Sequence, residues 1–288
     1  FTSANNLINV NISLDDKMDQ DGVYFPAMEL YLPNTNYSES HENLHIKPFY
    51  MDRYEVSNFE YKEFVDANGY YNEEYWPSEL MHKGIKISFN EVKTSFVDKS
   101  NFPSPKDWQQ GAYENGKDHF PVAGISWYEA YAYAKFREKS LPSVAEWYYA
   151  FDRNRPNKAL ENANINSYNF TKSRVETTSM NHNGIYDMVG NVREWVYNNI
   201  TDKNKKGILG GSFADDPYLA LDFYSQNAWD RNSYNGIRLV KKIEEDTSGE
   251  IFYVREKQRN FYENFQTSDK EWGIIKSMYL YDNDYIQI

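Results

Sequence analysis

The chain has 288 residues, of which 40% are hydrophobic, so it is long enough to form one large domain or two small ones with a true core. Its formal net charge of −12 and its lack of an extended basic patch argue against nucleic-acid binding, and no run approaches the roughly 18 apolar residues that span a bilayer. The chain contains no cysteine, which excludes disulfides, thiolate metal sites and thiol nucleophiles.

The N-terminal part of the chain combines a polar arm with two strand-like segments. Residues 1–22 are rich in Asn and Asp and are predicted to form the arm. Residues 23–32 alternate between apolar and polar side chains, as strands do, and residues 45–56 alternate in the same way. The polar segment 33–43 is predicted to be the loop between them.

Three capping boxes mark clear helix starts, because each has a serine followed three residues later by a glutamate. The boxes begin at Ser57, Ser126 and Ser143. Apolar residues follow each box at helical spacing, and the three helices are expected to end near Gly69, Phe136 and Phe151. These signals fix helix positions and carry no information about function.

The remaining segments are less regular. Residues 71–120 form an insertion with mixed signals, and residues 152–183 are predicted to be a long loop rich in Asn and Ser. We expect one domain over residues 23–243, with short strands near its end. Residues 244–288 differ in composition, have a helical pattern from Ser268 to Tyr279, and are predicted to be an extension towards a further domain.

Six blocks, in order, resemble the formylglycine-generating-enzyme (sulfatase-modifying factor) family. They are Phe49–Asn58, Pro121–Ala130, Leu141–Trp147, Gly184–Trp195, Leu209–Phe213 and Asn235–Val240. The insertion, with Trp108 to Tyr113, and the segment Asn227–Asn232 are most similar to domains attached to bacterial serine/threonine protein kinases. The resemblance implies an α+β fold of the formylglycine-generating-enzyme type, related to C-type lectins, with much irregular structure.

The resemblance also bears on catalysis. The enzymes of this family use two cysteines after the Gly-Gly-Ser block to bind copper and activate oxygen. Aligned on Gly210 and Gly211, this chain has Asp215 at the first position and Ala220 at the second. A carboxylate and a methyl group cannot replace two thiolates around copper, so no copper is expected and no residue is predicted to be catalytic.

Calcium is the cofactor that the resemblance implies, since this family has a calcium site in the Gly-Asn-x-x-Glu-Trp block. The ligands carried over are the side chains of Asp187 and Glu194 and the carbonyl groups of Gly190 and Val192. Oxygen ligands of this kind suit calcium. A second family site involves Asn169 and Phe170.

Aromatic and charged residues also cluster around the position of the missing cysteines. The candidate ligand pocket comprises Asp215, Asp216, Tyr218, Asp222, Trp229, Asp230 and Arg231. Such side chains could orient a sugar or an extended peptide, and they could equally form a solvated loop held by internal salt bridges. Arg238 is predicted to be a structural arginine.

The sequence His41-Glu42-Asn43-Leu44-His45 matches a zinc-protease pattern, which requires both histidines on one face of a helix. No apolar stripe precedes it and a strand follows it directly, so we interpret it as a loop and the start of a strand.

These observations favour a non-catalytic binding or sensor module, a pseudoenzyme that recognises a peptide, protein or glycan. We expect it to act outside the cytoplasm, in the periplasm or at the bacterial cell surface, as part of a larger multidomain protein or assembly. Two alternatives stay open. One is a structural component of a gliding or secretion assembly, and the other is a divergent metal-dependent oxygenase whose metal is held by histidines.

Overall fold

The computed structural model describes one domain in detail. The described residues are 21–30, 44–152, 156–166, 175, 179–200, 205–217, 220, 223–244 and 253–254. The helical pattern predicted from Ser268 to Tyr279 lies outside them. No helix in the described part is long and apolar enough to cross a membrane.

The described secondary structure comprises five α-helices, two 3-10 helices (Gly69–Tyr71 and Glu73–Tyr75) and twelve strands. The helices are α1 (Asn58–Asp66), α2 (Phe89–Ser95), α3 (Trp127–Phe136), α4 (Val144–Phe151) and α5 (Asn157–Leu160). The first six strands are β1 (Gly22–Phe25), β2 (Met28–Leu30), β3 (Leu44–Ile46), β4 (Phe49–Asp52), β5 (Met81–His82) and β6 (Ile85–Lys86). The others are β7 (Arg193–Ile200), β8 (Lys205–Leu209), β9 (Tyr224–Asn227), β10 (Asn235–Gly236), β11 (Val240–Lys242) and β12 (Tyr253–Val254).

Two sheets organise the described chain. One has the order β1-β4-β11 and is antiparallel throughout. The other has β7 at its centre, paired antiparallel with β8 and parallel with the short strands β10 and β12, while β9 continues the sheet beyond β8. The pairs β2-β3 and β5-β6 are separate hairpins.

The two predicted strand segments are each divided into two strands. The first breaks at Pro26, between β1 and β2, and the second breaks at Pro48, between β3 and β4. A proline has no backbone N–H to give to a ladder, so the pairing is interrupted at these positions.

All three predicted capping boxes are confirmed. In α1, α3 and α4 the serine side chain accepts from the backbone N–H of the glutamate, and the glutamate side chain accepts from the serine N–H. A fourth box, Ser88 with Glu91, begins α2 inside the insertion and was not predicted. Helix α1 ends earlier than expected, and Asn68, rather than Gly69, takes the left-handed conformation with φ of 58°. Gly69 is instead needed for space, because a Cβ there would lie 2.0 Å from the ring of Phe64.

The core has two parts, each built around one of the long helices. Helix α3 buries Trp127, Tyr128 and Tyr133 together with α1 and the insertion. Helix α4 buries Trp147 and Phe151 against the β1-β4-β11 sheet and the loops that precede β7. Strand β7 serves both parts, because Trp195 belongs to the first cluster and its neighbour Val196, on the opposite face, to the second.

Candidate functional site

The Gly-Gly-Ser segment forms a tight turn directly after β8. Gly210 and Gly211 have φ angles of +88° and +68°, a region that favours glycine. A Cβ on Gly211 would lie 3.0 Å from Cα of Ala220, so this turn brings the backbone of the Ala220 segment close to it. Ser212 follows the turn and is fully buried.

The carboxylate of Asp215 is fully engaged by neighbouring groups. Nε of Arg193 donates to one oxygen at 2.8 Å, and Nη2 of Arg193 donates to the other. Oγ of Ser212 also donates to Asp215, at 2.8 Å. Two hydrogen bonds between one guanidinium and one carboxylate hold both groups in a defined orientation and are stronger than bonds between neutral groups. The position aligned with the first family cysteine is therefore occupied by an internal ion pair.

Arg193 is itself held from several directions. It is the first residue of β7, and its backbone N–H donates to the carbonyl of Tyr234 at 2.7 Å. Its guanidinium lies 6.0 Å from the centre of the Tyr234 ring, which in turn meets the ring of Phe213 edge-on at 5.2 Å. The Arg193–Asp215 pair was not predicted, because 22 residues separate the partners.

The other candidate pocket residues that the structure describes make separate contacts of their own. Asp216 is exposed, while Tyr218 and Asp222 lie outside the described residues. Nε1 of Trp229 donates to the carbonyl of Met81 at 2.5 Å. Oδ2 of Asp230 accepts from the side chain of Asn235 at 3.2 Å.

Arg231 ties the insertion to α3. It donates to the carbonyls of Val97 and Ser104 at 2.7 and 2.6 Å, and to Glu129 at 2.8 Å. Glu129 also accepts from Tyr70 at 2.7 Å. With these donors in internal bonds, the described contacts of Arg231 are structural ones.

Two of the predicted calcium ligands, Asp187 and Glu194, belong to a cluster of buried acidic side chains that also includes Glu55. Oε1 of Glu194 accepts two bonds from the guanidinium of Arg238, at 2.7 and 2.9 Å, and Oε2 accepts from Nε1 of Trp147 at 2.6 Å. Arg238 is fully buried, which agrees with the expected structural role. Glu55 is also buried, and it accepts from the side chain of Asn191 and the backbone N–H of Val192.

Asp187 is the least satisfied member of this cluster. It is 1% exposed, and neither carboxylate oxygen has a hydrogen-bond partner among the described residues. Burial raises the pKa of Asp187 to about 7; the cation Arg238 opposes this rise and the nearby Glu194 adds to it. Burial, with the charges of Asp187 and Glu194, likewise raises the pKa of Glu55 well above its usual range.

The backbone between Asp187 and Glu194 is unusually bent. Asp187, Gly190 and Asn191 all have positive φ angles. A Cβ on Gly190 would lie 2.4 Å from the carbonyl of Asn164, so only glycine fits there. Such bends turn carbonyl groups out of regular pairing, as calcium loops require. Asn169 and Phe170, the second predicted site, lie outside the described residues.

The histidines of the described part do not converge. His45 lies on β3 and pairs with Glu29 across the hairpin, so the zinc-protease pattern does not continue as a helix. His82 packs on the ring of Trp229, and His119 and His182 are exposed. No group of three histidine or acidic side chains suited to a metal occurs among the described residues.

Comparison with known proteins places these features in a family. The profile of the sulfatase-modifying factor enzyme 1-like domain matches residues 16–243. The chain is 30% identical to formylglycine-generating enzyme of Mus musculus over 181 residues, 51% of this chain and 48% of that protein. It is 27% identical to inactive C-alpha-formylglycine-generating enzyme 2 of Bos taurus, over 59% of this chain and 67% of that protein.

Two further similarities concern architecture. Serine/threonine-protein kinase pkn1 of Chlamydia caviae is 26% identical over 51% of this chain, a match that covers 22% of the kinase. The crystal structure of CarF superposes with a TM-score of 0.54 at 20% identity, covering 78% of this chain and 98% of CarF. The chain therefore spans about half the length of the mouse enzyme and less than a quarter of the kinase. The predicted family and fold are confirmed: the chain belongs to the sulfatase-modifying factor enzyme 1-like domain family and has an α+β fold of that type.

Proposed function

We propose that this chain is a non-catalytic binding module of its family, one that recognises a peptide, protein or glycan. The observation that supports this most directly is the state of Asp215. Where the enzymes of this family need a copper-binding thiolate, this chain has a carboxylate that Arg193 and Ser212 already bond. An ion pair held on both sides leaves no open coordination position for a soft metal.

The relatives are consistent with this proposal. One relative carries the name of an inactive formylglycine-generating enzyme, and the match to a much longer kinase shows that such a domain can be one part of a larger protein. A domain of this kind contributes by binding, and its partner or its parent protein supplies the activity.

The test is an aerobic turnover assay with added copper(I) and a cysteine-containing peptide, using the mouse enzyme as the positive control. We expect no aldehyde in the peptide mass spectrum with this chain, because it contains no cysteine to bind copper. In parallel, the immobilised chain is exposed to peptide and glycan arrays, and at least one reproducible ligand is expected. Aldehyde formation would contradict the proposal. Robust turnover of a substrate, together with arrays on which no ligand binds, would contradict it as well.

We also propose that calcium binds at the loop from Asp187 to Glu194. The unpartnered, buried carboxylate of Asp187 supports this, because a buried charge without a partner is costly and a cation would compensate it. The carbonyls of Gly190 and Val192 and the carboxylate of Glu194 would complete the oxygen ligands. Calcium bound there would supply charge neutralisation and a fixed loop shape. Calorimetric titration of calcium into the chain and into Asp187→Ala tests this, and equal binding by both would contradict it.

A further inference from the structure

A polar cleft is lined by residues other than those of the Gly-Gly-Ser turn. It forms where β4 runs into α1, and the C-terminal end of α3 forms its other side. Its volume is about 280 Å³, just below the ~300–1,000 Å³ typical of ligand pockets. The cleft therefore has room for one or two small rings rather than for an extended chain.

The charged side chains of the cleft largely neutralise one another. Three basic and four acidic side chains line it: Arg53, Arg137 and Lys139, with Asp21, Asp52, Glu55 and Glu60. Burial raises the pKa of Glu55 well above its usual range, which favours its neutral form and leaves three acidic side chains opposite the three cations. Nζ of Lys139 lies 2.5 Å from Asp52, and Arg137 lies 2.6 Å from Glu63 just outside the lining. Because basic and acidic side chains lie side by side around the cleft, a charged ligand would be attracted by some of them and repelled by others. The lining therefore favours a ligand without net charge.

Several hydrogen-bonding groups remain available in this cleft. The ring of Tyr133 stacks on Tyr61 in the core, with ring centres 4.8 Å apart, and the residue is 1% exposed. Tyr133 is one of the residues that line the cleft, and none of the hydrogen bonds found between described side chains involves its hydroxyl. Arg53 uses one nitrogen on the carbonyl of Gly184, at 2.9 Å, which leaves its other donors free of described partners. Glu60 uses only Oε2 in the capping box with Ser57.

An aromatic ring stands beside these polar groups. Phe59 lines the cleft from the first turn of α1 and is 54% exposed, so its ring is accessible to a ligand. A flat ring of this kind can cover the apolar face of a sugar while polar groups bond the hydroxyls. The cleft thus combines an aromatic surface, unpaired donors and a free acceptor.

We propose that this cleft binds a neutral sugar of one or two rings. Each sugar hydroxyl both donates and accepts, so it can bond Tyr133 and Arg53 on one side and Glu60 on the other. The inference narrows the ligand class of the proposed function and rests on that function being one of binding. The cleft does not include Asp215, and it shares Glu55 with the acidic cluster beside the calcium loop.

Saturation-transfer NMR with the whole chain tests this inference. The probes are glucose, galactose and N-acetylglucosamine, with glucuronate and glucosamine as charged probes built on the same ring. The informative variant is Tyr133→Phe, which removes only a hydroxyl without a described partner and keeps the stacked ring. Tyr131→Phe is the matched control, because Tyr131 lies on the same helix, packs against Trp127 and Tyr197, and does not line the cleft.

We expect at least one neutral sugar to bind, the charged probes to bind more weakly, and Tyr133→Phe to raise the Kd about fivefold with no change in Tyr131→Phe. Equal binding of charged and neutral probes, or an unchanged Kd in Tyr133→Phe, would overturn the cleft assignment. With either of these two results, a sugar that binds elsewhere on the chain would still support the proposed binding function. If none of the probes binds, the cleft assignment also fails, and the peptide and glycan arrays decide the binding module separately.

Discussion

At the scale of single residues, Asp215 shows how one buried carboxylate can join a turn to a strand. A thiolate is a soft metal ligand, whereas a carboxylate prefers hard cations and guanidinium groups. In this chain the carboxylate is held by Arg193, and the side chains of the two residues are only 11% and 19% exposed. Asp215 is thus part of the supporting structure between β7 and the turn after β8.

Removal of this carboxylate should therefore destabilise the domain. We expect Asp215→Ala to lower the free energy of unfolding by about 2 kcal/mol, because Arg193 would be left largely buried without its counter-charge. Asp216→Ala is the control, since Asp216 is exposed and should change stability by less than about 0.5 kcal/mol. Urea denaturation measures both, and equal stability of the two variants would show that the ion pair contributes nothing.

Lys206 gives a second prediction at this scale. It is 8% exposed, its Nζ lies 3.6 Å from the centre of the Trp127 ring, and it bonds the side chain of Asn199. Burial lowers the pKa of Lys206 from 10.5 to about 8. Between these two values the unfolded chain binds more protons than the folded one, so stability rises as the pH rises from 8 to 10.5.

Lys206→Met should abolish this contribution. We expect the wild-type chain to gain about 2 kcal/mol over the variant between pH 8 and pH 10.5, as measured by urea denaturation at a series of pH values. The comparison with the variant cancels the titration of other groups, including the many tyrosines. Parallel pH profiles for the two proteins would show that the Lys206 amine is not desolvated.

At the scale of elements, two capping boxes of the same pattern have different surroundings. In α3, the Ser126–Glu129 box is buried, and Glu129 also bonds Tyr70 and Arg231. In α2, Glu91 bonds only Ser88 among side chains, and the box is exposed. The first box therefore joins α3 to the insertion and to Arg231, while the second only begins a helix.

Glu129→Ala should consequently cost far more than Glu91→Ala. We expect a loss of about 3 kcal/mol for the first, since Arg231 would remain buried without its partner, and a much smaller loss for the second, whose carboxylate is exposed. Thermal or urea unfolding checks the difference. Similar losses in both variants would contradict the view that Glu129 connects the elements.

Local signals account for what could be predicted at this scale. The capping boxes were predictable because their partners lie three residues apart, and the strands were located because side-chain alternation is a local pattern. Pro26 and Pro48 are visible in the sequence, but the alternation of apolar and polar side chains around them predicted continuous strands. Gly69 was expected near the end of α1, whereas the left-handed residue after the helix is Asn68. The need of Gly69 for space beside Phe64 is not visible in a sequence.

At the scale of the whole molecule, the family resemblance supplied the fold, while most of the site contacts depend on distant residues. Glu55 reaches Val192, which lies 137 positions away, and Arg231 reaches Val97, which lies 134 positions away. Composition and spacing along the chain do not show which of many distant residues will be in contact. For this reason the resemblance could indicate Asp187 and Glu194 as candidate ligands. The sequence could not predict that Arg193 and Ser212 bond Asp215, or that a cleft forms beside Tyr133.

The most direct test of the account is the metal content of the purified chain, measured by elemental mass spectrometry before any chelator is added. A non-catalytic module with a calcium loop predicts about one equivalent of calcium and no stoichiometric transition metal. Stoichiometric copper, iron or zinc would contradict the central claim, because it would reveal a redox or hydrolytic centre in a chain proposed to act only by binding.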